Sequence, residues 1–308
     1  KADRWQTFAV GIAGLGEEFF GFGNIRLKQI PCYLTEVGAR SSVRDAERNE
    51  AIGRSHADIQ SLYDSFTVNG QREGPADFLI IKWRFFHVEA IIVVGDIRQC
   101  DHTDDFQVIK LLEKIKHEQG KLDLLVNNVW GGSETYIKNK RFWQLPLKHW
   151  ENMFNSGVRA QLVTNYYAIP LMIETGGKLI VHTTFWDDYK YTGNLYYDLA
   201  KNALIRMAYG LSCDLKEHGI SVVAVSPGWM RTELVLAEFH TDEDHWTDVE
   251  ALQRTESTHY IGRAICALAE DENVFNKTGK ILLVGDLAKE NGFTDIDGRL
   301  ITPFRLED

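Results

Sequence analysis

Short apolar runs alternate along this chain with longer stretches in which apolar residues recur every three or four positions. The runs FAV (8–10), CYLT (32–35), IIVVG (91–95), LDLLVNN (122–128), KLIVHTT (178–184), ISVVAVSPG (220–228) and KILLVG (280–285) are rich in β-branched residues. Most are apolar on both faces, as strands buried between two layers of helix should be. Between them DDFQVIKLLEKIKHEQG (104–120), HWENMFNSGVRAQLVTNYYAIPLMIET (149–175) and YYDLAKNALIRMAYGLSCDLKEHG (196–219) carry helical spacing, and two of the three end in glycine. The alternation predicts an α/β fold, a doubly wound parallel sheet of about seven strands with right-handed crossovers. No repeat, low-complexity tract or long linker divides the chain, so a single domain over 1–308 is expected. The stretch QREGPADFLIIKWRFFHVEA (71–90) reads as an insertion before the third strand, packing its own apolar clusters.

Composition narrows the partners. A formal charge of −10 disfavours a phosphate backbone, so nucleic acid is not expected. No segment approaches the roughly 18 unbroken apolar residues of a membrane span. Cys32, Cys100, Cys213 and Cys266 are far apart and the start lacks a basic stretch followed by an apolar run. Reduced thiols in a cytoplasmic protein fit this best, with two disulfides as the alternative.

In doubly wound sheets, ligands bind beyond the carboxyl ends of the strands, and the notable polar residues occur there. Gly11, Gly14 and Gly16, spaced G-x-x-G-x-G after the first strand, would let backbone N–H groups approach a pyrophosphate. A turn with no ligand is equally compatible with three glycines. After the second strand, Arg40, Ser41 and Ser42 suit a ribose 2′-phosphate, whereas Glu36 would instead accept the 2′-hydroxyl of NAD. NADP(H) is the favoured cofactor on this reading and NAD(H) the alternative, the bland reading being two solvated loop charges. Asp101 and His102 follow the third run, where Asp101 suits an adenine amino group or simply begins the next helix. Asn127 and Asn128 end the fourth run and would tie neighbouring loops together beside a cofactor cleft.

The most informative set is Thr184, Tyr197 and Lys201. Tyr197 and Lys201 are four apart, so on a helix they share a face, and an ammonium beside a phenol favours the phenolate. A phenol of pKa near 10 exchanges protons poorly at neutral pH, and a lowered value suits acid–base work on an alcohol or carbonyl. Such pairs arise by chance in many helices. What singles this one out is the hydroxyl of Thr184 at a strand end, thirteen residues earlier, placed to steady a substrate oxygen.

Together GIAGLG, NNVWGG, Thr184 with Y197-D-L-A-K201, and S226-P-G-W-M-R-T232 resemble, in order and approximate spacing, the short-chain dehydrogenase/reductase family. The resemblance covers nearly the whole chain. The stretches CDHTDD, LDLLVNNVWGG, FWQLP, KYTGNLYYDLAKNA and GFTDIDGR look closest to one branch of that family, shared by mammals and bacteria. It implies a Rossmann-like sheet, an NAD(P)(H)-dependent oxidoreductase interconverting a carbonyl and an alcohol, and a homodimer or homotetramer. By this likeness Tyr197 is the general acid/base, Lys201 lowers its pKa and binds ribose, Thr184 stands for the usual serine, and Pro227, Gly228 and Thr232 belong to the cofactor site. The chain departs from the pattern in three places. Its glycine turn has two residues rather than three between the first glycines, Gly157 stands where the family often has an asparagine, with Asn155 two places earlier, and threonine replaces serine.

The segment 229–271, charged and interrupted by aromatics, is expected to form a lid over substrate. Trp130, Trp186, Trp229 and Met230 would make an apolar pocket for a hydrophobic small molecule, although core packing accounts for each equally well. His240, Asp242, Asp244 and His245 fit a solvated acidic turn better than a metal site, and no metal is expected. Two other classes remain open from the residues: a catalytically inactive NADP(H)-binding sensor on the same fold, and an unrelated doubly wound methyltransferase.

Overall fold

The computed structural model describes the strand backbones within 5–97, and residues 100–131, 137 and 140–306 with their side chains. A seven-stranded sheet has the order β5-β2-β1-β6-β7-β8-β9. Its strands are β1 (Trp5–Ile12), β2 (Gly21–Arg26), β5 (Asp96–Ile97), β6 (Leu124–Asn128), β7 (Leu179–Thr183), β8 (Ser221–Ser226) and β9 (Ile281–Leu283). β1, β6, β7, β8 and β9 run parallel, while β2 is antiparallel to both of its neighbours. The helices are α1 (Asp105–Gln119), α2 (Ala160–Thr175), α3 (Leu195–Asp214), α4 (Glu233–Glu238), α5 (Thr258–Glu270) and α6 (Val284–Asn291). A π-helical stretch, Glu151–Arg159, leads directly into α2.

The apolar runs at 122–128, 178–184 and 220–228 are the sheet's centre, and their period of two divides the core. Leu125, Ile180, Val222 and Ala224 face a cluster built with Val108, Leu111, Leu112 and Ile115 of α1 and Leu171 and Met172 of α2. Leu124, Val126, Leu179, Val181, Val223 and Val225 face the other layer, with Tyr260, Ala264 and Leu268 of α5 and Leu287 of α6. Each fully buried aliphatic side chain contributes about 1.5–3 kcal/mol, so two-sided burial fixes these strands centrally. The helix ends follow local chemistry. The Asp104 carboxylate accepts the Phe106 N–H at the start of α1, and Gly120 and Gly176 end α1 and α2 with φ of 70° and 75°.

Four expectations change. IIVVG (91–95) does not enter the large sheet: it falls in β4 (Val88–Val94), which pairs antiparallel with β3 (Leu79–Phe85) as a separate two-stranded sheet. Two strand-forming runs joined by two residues close a hairpin at far lower entropic cost than a long crossover, so the segment read as an insertion supplies this strand's partner. KILLVG (280–285) is a strand only over Ile281–Leu283, with α6 beginning at Val284. The expected lid is half core: α5 lies inside 229–271, and its Tyr260 and Ala264 are completely buried. CYLT (32–35) lies outside the described residues. Cys100 is a buried free thiol and Cys213 an exposed one, whereas Cys266 is disulfide-bonded, contrary to the expectation of four reduced thiols. Among the described residues, no helix is long and apolar enough to cross a membrane.

Candidate active site at the carboxyl edge of the sheet

The parallel register brings Gly11 of β1 opposite Asn127 of β6, and carries the ends of β7 and β8 alongside. Gly14, Gly16, Arg40 and Ser41 lie outside the described residues. Asn127 is buried, and its amide donates to Asn165 Oδ1 at 2.8 Å. From there a polar chain runs through the interior. Asn165 donates to His182 Nε2 at 3.2 Å, His182 Nδ1 donates to Gln161 Oε1 at 2.8 Å, and Gln161 donates to the Val129 carbonyl at 3.1 Å. Asn127 thus braces the strand end against α2. Thr183 donates its hydroxyl to Asn128 Oδ1, tying β7 to β6.

Asp101 is exposed and accepts the Thr103 N–H at 2.8 Å and the Thr103 hydroxyl at 2.7 Å. His102 turns inward, buried, with Nδ1 2.8 Å from Thr164 Oγ1; burial lowers its pKa to about 4. Thr232 caps α4 by accepting the Val235 N–H. Pro227 and Gly228 follow β8 directly.

Thr184 is buried just after β7, where its N–H donates to the Val225 carbonyl and its hydroxyl donates to the Lys201 carbonyl at 2.7 Å. The strand end is therefore tied to α3 at the turn that bears Lys201. Asn194 fixes that helix's start: its side chain accepts the Tyr197 N–H at 3.2 Å, an N-cap that sequence reading did not single out although Asn three places before a helical residue is its usual signal. Tyr197 and Lys201 share a face, with the ammonium 5.5 Å from the phenol ring centre. That ammonium also lies 3.7 Å from the indole of Trp130, and among the described residues it has no hydrogen-bond or ion-pair partner. Loss of hydration in the protein interior lowers its pKa to about 7.

Beside it opens a cavity of about 220 Å³ lined by Phe185, Trp186, Asp187, Lys190, Asp198 and Lys201 among others. Its loop is under backbone strain, with Asp188 and Tyr189 at φ of 47° and 66°. One wall carried no signal in the sequence. The buried carboxylate of Asp187 accepts the Leu306 N–H at 2.5 Å and contacts Arg305 at 3.4 Å, and Lys190 donates to the Leu306 carbonyl at 2.5 Å. Phe304 then lies 6.3 Å from Phe185, ring to ring. The expected four-residue apolar pocket is divided. Trp130 and Trp186 are at the site, Trp229 packs on Phe239, and Met230 joins the core. Asn155 bonds Glu151 on its own helix. Asp242 accepts from His245, and the described residues hold no metal-binding cluster.

Behind Gly228 is a second feature missed in the sequence. Glu256 is buried, accepts the Gly228 N–H, and its pKa is pushed up to about 7, chiefly by burial. Between its ordinary 4.5 and about 7 the folded state keeps a proton that the unfolded state releases, so stability falls as pH rises through that window and is flat above it. At about 1.4 kcal/mol per unit the loss is on the order of 3 kcal/mol. Glu256→Gln is expected to raise the urea midpoint at pH 8 and leave it nearly unchanged at pH 5; equal shifts at both pH values would contradict this.

A largely parallel α/β sheet with polar groups along its carboxyl edge is an architecture that binds nucleotides. The chain belongs to the short-chain dehydrogenase/reductase family: residues 88–286 match the family described as Enoyl-(Acyl carrier protein) reductase. It is 33% identical over 213 residues to Dehydrogenase/reductase SDR family member 1 of Homo sapiens, spanning 67% of this chain and 68% of that protein. It is 25% identical over 267 residues to Gluconate 5-dehydrogenase of Gluconobacter oxydans, spanning 82% and 96%. The solved structure titled "ElxO with NADP Bound" is similar with a TM-score of 0.50 and 25% identity, over 61% of this chain and 75% of that one. Membership removes the methyltransferase alternative and places the chain among NAD(P)-dependent oxidoreductases.

Proposed function

We propose that the chain interconverts a carbonyl and an alcohol on a small apolar molecule, with NADP(H) preferred over NAD(H) and Tyr197 as general acid/base. The observation that carries this is the Lys201 ammonium. It is sheltered, lacks a polar partner among the described residues, and sits on the same face of α3 as Tyr197 at the rim of a cavity. Its N–H donors would fit the hydroxyls of a ribose. When bound, the nicotinamide cofactor would supply or accept the hydride. The protein's part is proton transfer. In the reducing direction the Tyr197 hydroxyl gives its proton to the carbonyl oxygen as the carbon gains hydride, and Lys201 stabilises the phenolate left behind. Thr184 orients this face from beneath, through the Lys201 carbonyl.

Gly11, Gly14, Gly16, Asp101, Asn127, Pro227, Gly228 and Thr232 complete the proposed cofactor site, and Arg40 with Ser41 would favour the 2′-phosphate. Support comes from the NADP named in the ElxO title and from the alcohol chemistry in the name of Gluconate 5-dehydrogenase. A homodimer or homotetramer in the cytoplasm is part of the proposal.

The test is fluorescence titration with NADPH and NADH, followed by turnover across a panel of aliphatic and aromatic ketones and aldehydes. NADPH is expected to bind at least about tenfold more tightly, since one bidentate charge contact is worth about 1.5–3 kcal/mol. Equal affinities would overturn the NADP preference. Tight binding with no oxidation of NADPH would favour the sensor reading.

A further inference from the structure

Gly157 lies buried within the π-helical stretch Glu151–Arg159, and a Cβ built on it would stand 2.7 Å from both Cε3 and Cζ3 of Trp130. Every other residue type would collide with the indole. Trp130 comes from the loop after β6, crosses to this gap, and meets Tyr197 edge-on, with ring centres 5.6 Å apart and planes at 85°. Its face carries the Lys201 ammonium at 3.7 Å, closer than the 5.5 Å between that ammonium and the Tyr197 ring. π-Helical segments recur at functional sites, and Gly157, against which the indole packs, lies inside this nine-residue one.

We propose that Trp130 is a positioning residue of the catalytic site: its indole, admitted by the missing side chain at Gly157, is the platform that holds the Lys201 ammonium beside Tyr197. The proposal rests on the catalytic reading of Tyr197 and Lys201. A lysine side chain has four rotatable bonds and loses rotamer freedom when fixed. Among the described residues no carboxylate or carbonyl fixes the Lys201 ammonium, so the quadrupole of the ring is what opposes that cost.

The indole acts on the ammonium in two opposed ways. It excludes water, which disfavours the charge, and it offers a negative face, which favours it. Among the described residues, the titratable groups that line the cavity with Lys201 are Asp198 on its own helix and Asp187, Tyr189 and Lys190 on the loop after β7, with Tyr197 beside it. Asp187 is engaged by the Leu306 N–H and Arg305, and Asp198, its pKa raised by burial, is engaged by the Thr192 backbone N–H. Neither compensates for a lost ring face.

The experiment follows Lys201 in the cofactor-free protein, by the pH dependence of its labelling with acetic anhydride read by peptide mass spectrometry. Trp130→Leu keeps an apolar cover and removes the ring, so the Lys201 midpoint is expected to fall by about half a unit or more. Trp130→Phe keeps a ring and is expected to stay within about 0.3 unit of the wild type. Gly157→Ala, which pushes the indole aside, is expected to lower turnover about tenfold in the NADPH assay, and Gly157→Ala with Trp130→Phe to recover most of the loss because the smaller ring clears the new methyl. Coincident midpoints for Trp130→Leu and Trp130→Phe, or a rise in Trp130→Leu, would overturn the proposal. Failure of the catalytic reading looks different: wild-type protein that does not oxidise NADPH, with the labelling shifts intact.

Discussion

Tyr197→Phe is expected to lower turnover by about three orders of magnitude while NADPH binds as tightly as to the wild type. The substitution removes one oxygen and one proton. The aromatic ring stays, and with it the edge contact to Trp130 and the cluster formed with Met153, Tyr196 and Ala200. The Asn194 cap is made by the backbone N–H of position 197 and does not depend on the side chain. Folding and the platform beneath Lys201 should therefore survive. A positioned general acid contributes about 10²–10⁴ to rate, and two neighbouring groups are not placed to substitute for it: Tyr196 packs beneath Phe142 and His149, and His182 is sealed in the interior. Turnover numbers on the best carbonyl of the panel, set against NADPH affinity by fluorescence, decide it. A loss of less than about tenfold would remove Tyr197 from the acid/base role.

The centre of the sheet was legible because β6, β7 and β8 bury both faces, and a run of Leu, Val and Ile has few other places to go. β4 was misassigned for the converse reason. Its composition states that it is a strand but not which strand it pairs with, and a run of equal strength lay two residues upstream. Tyr197, Lys201 and Thr184 were readable because helical spacing and a strand end put them together locally. What closes round them was not. Asp187 meets Leu306 across a separation of 119 residues, and nothing near position 187 announces that contact. The missing side chain at Gly157 was visible, but the indole that fills it comes from another loop. Glu256 reads as an ordinary residue ahead of a helix. A bridge between its backbone and Met230 holds it buried against Gly228.

Below pH 6.5 the buried histidines are expected to become the main liability of the fold, and His182 is the one whose removal shows it. Its pKa is held at about 3 by burial, against an ordinary 6.5. The hydrogen bonds explain why no rearrangement relieves it. Nδ1 donates to Gln161, so the neutral ring accepts from Asn165 at Nε2. A proton added at Nε2 would face an N–H donor. Turning the Asn165 amide over would present its oxygen to the ring but set its N–H group against the amide of Asn127. The folded state therefore refuses a proton that the unfolded chain accepts, and stability is lost as pH falls from 6.5 toward 3. His102, held at about 4, adds to the loss in the same direction. At pH 5 each costs about 2 kcal/mol, while Glu256, which regains its proton, returns on the order of 3 kcal/mol. The wild type should thus tolerate mild acid, and Glu256→Gln should expose the histidine penalty. His182→Leu is expected to cost about 2–4 kcal/mol at pH 8, because Gln161 and Asn165 are left buried without their partner. At pH 5 that deficit should shrink by about 2 kcal/mol, since the variant no longer carries a ring that resists protonation. Urea midpoints for both proteins at pH 8, 6 and 5 measure the gap, and a gap that stays constant across the three would mean that His182 does not set the acid limit.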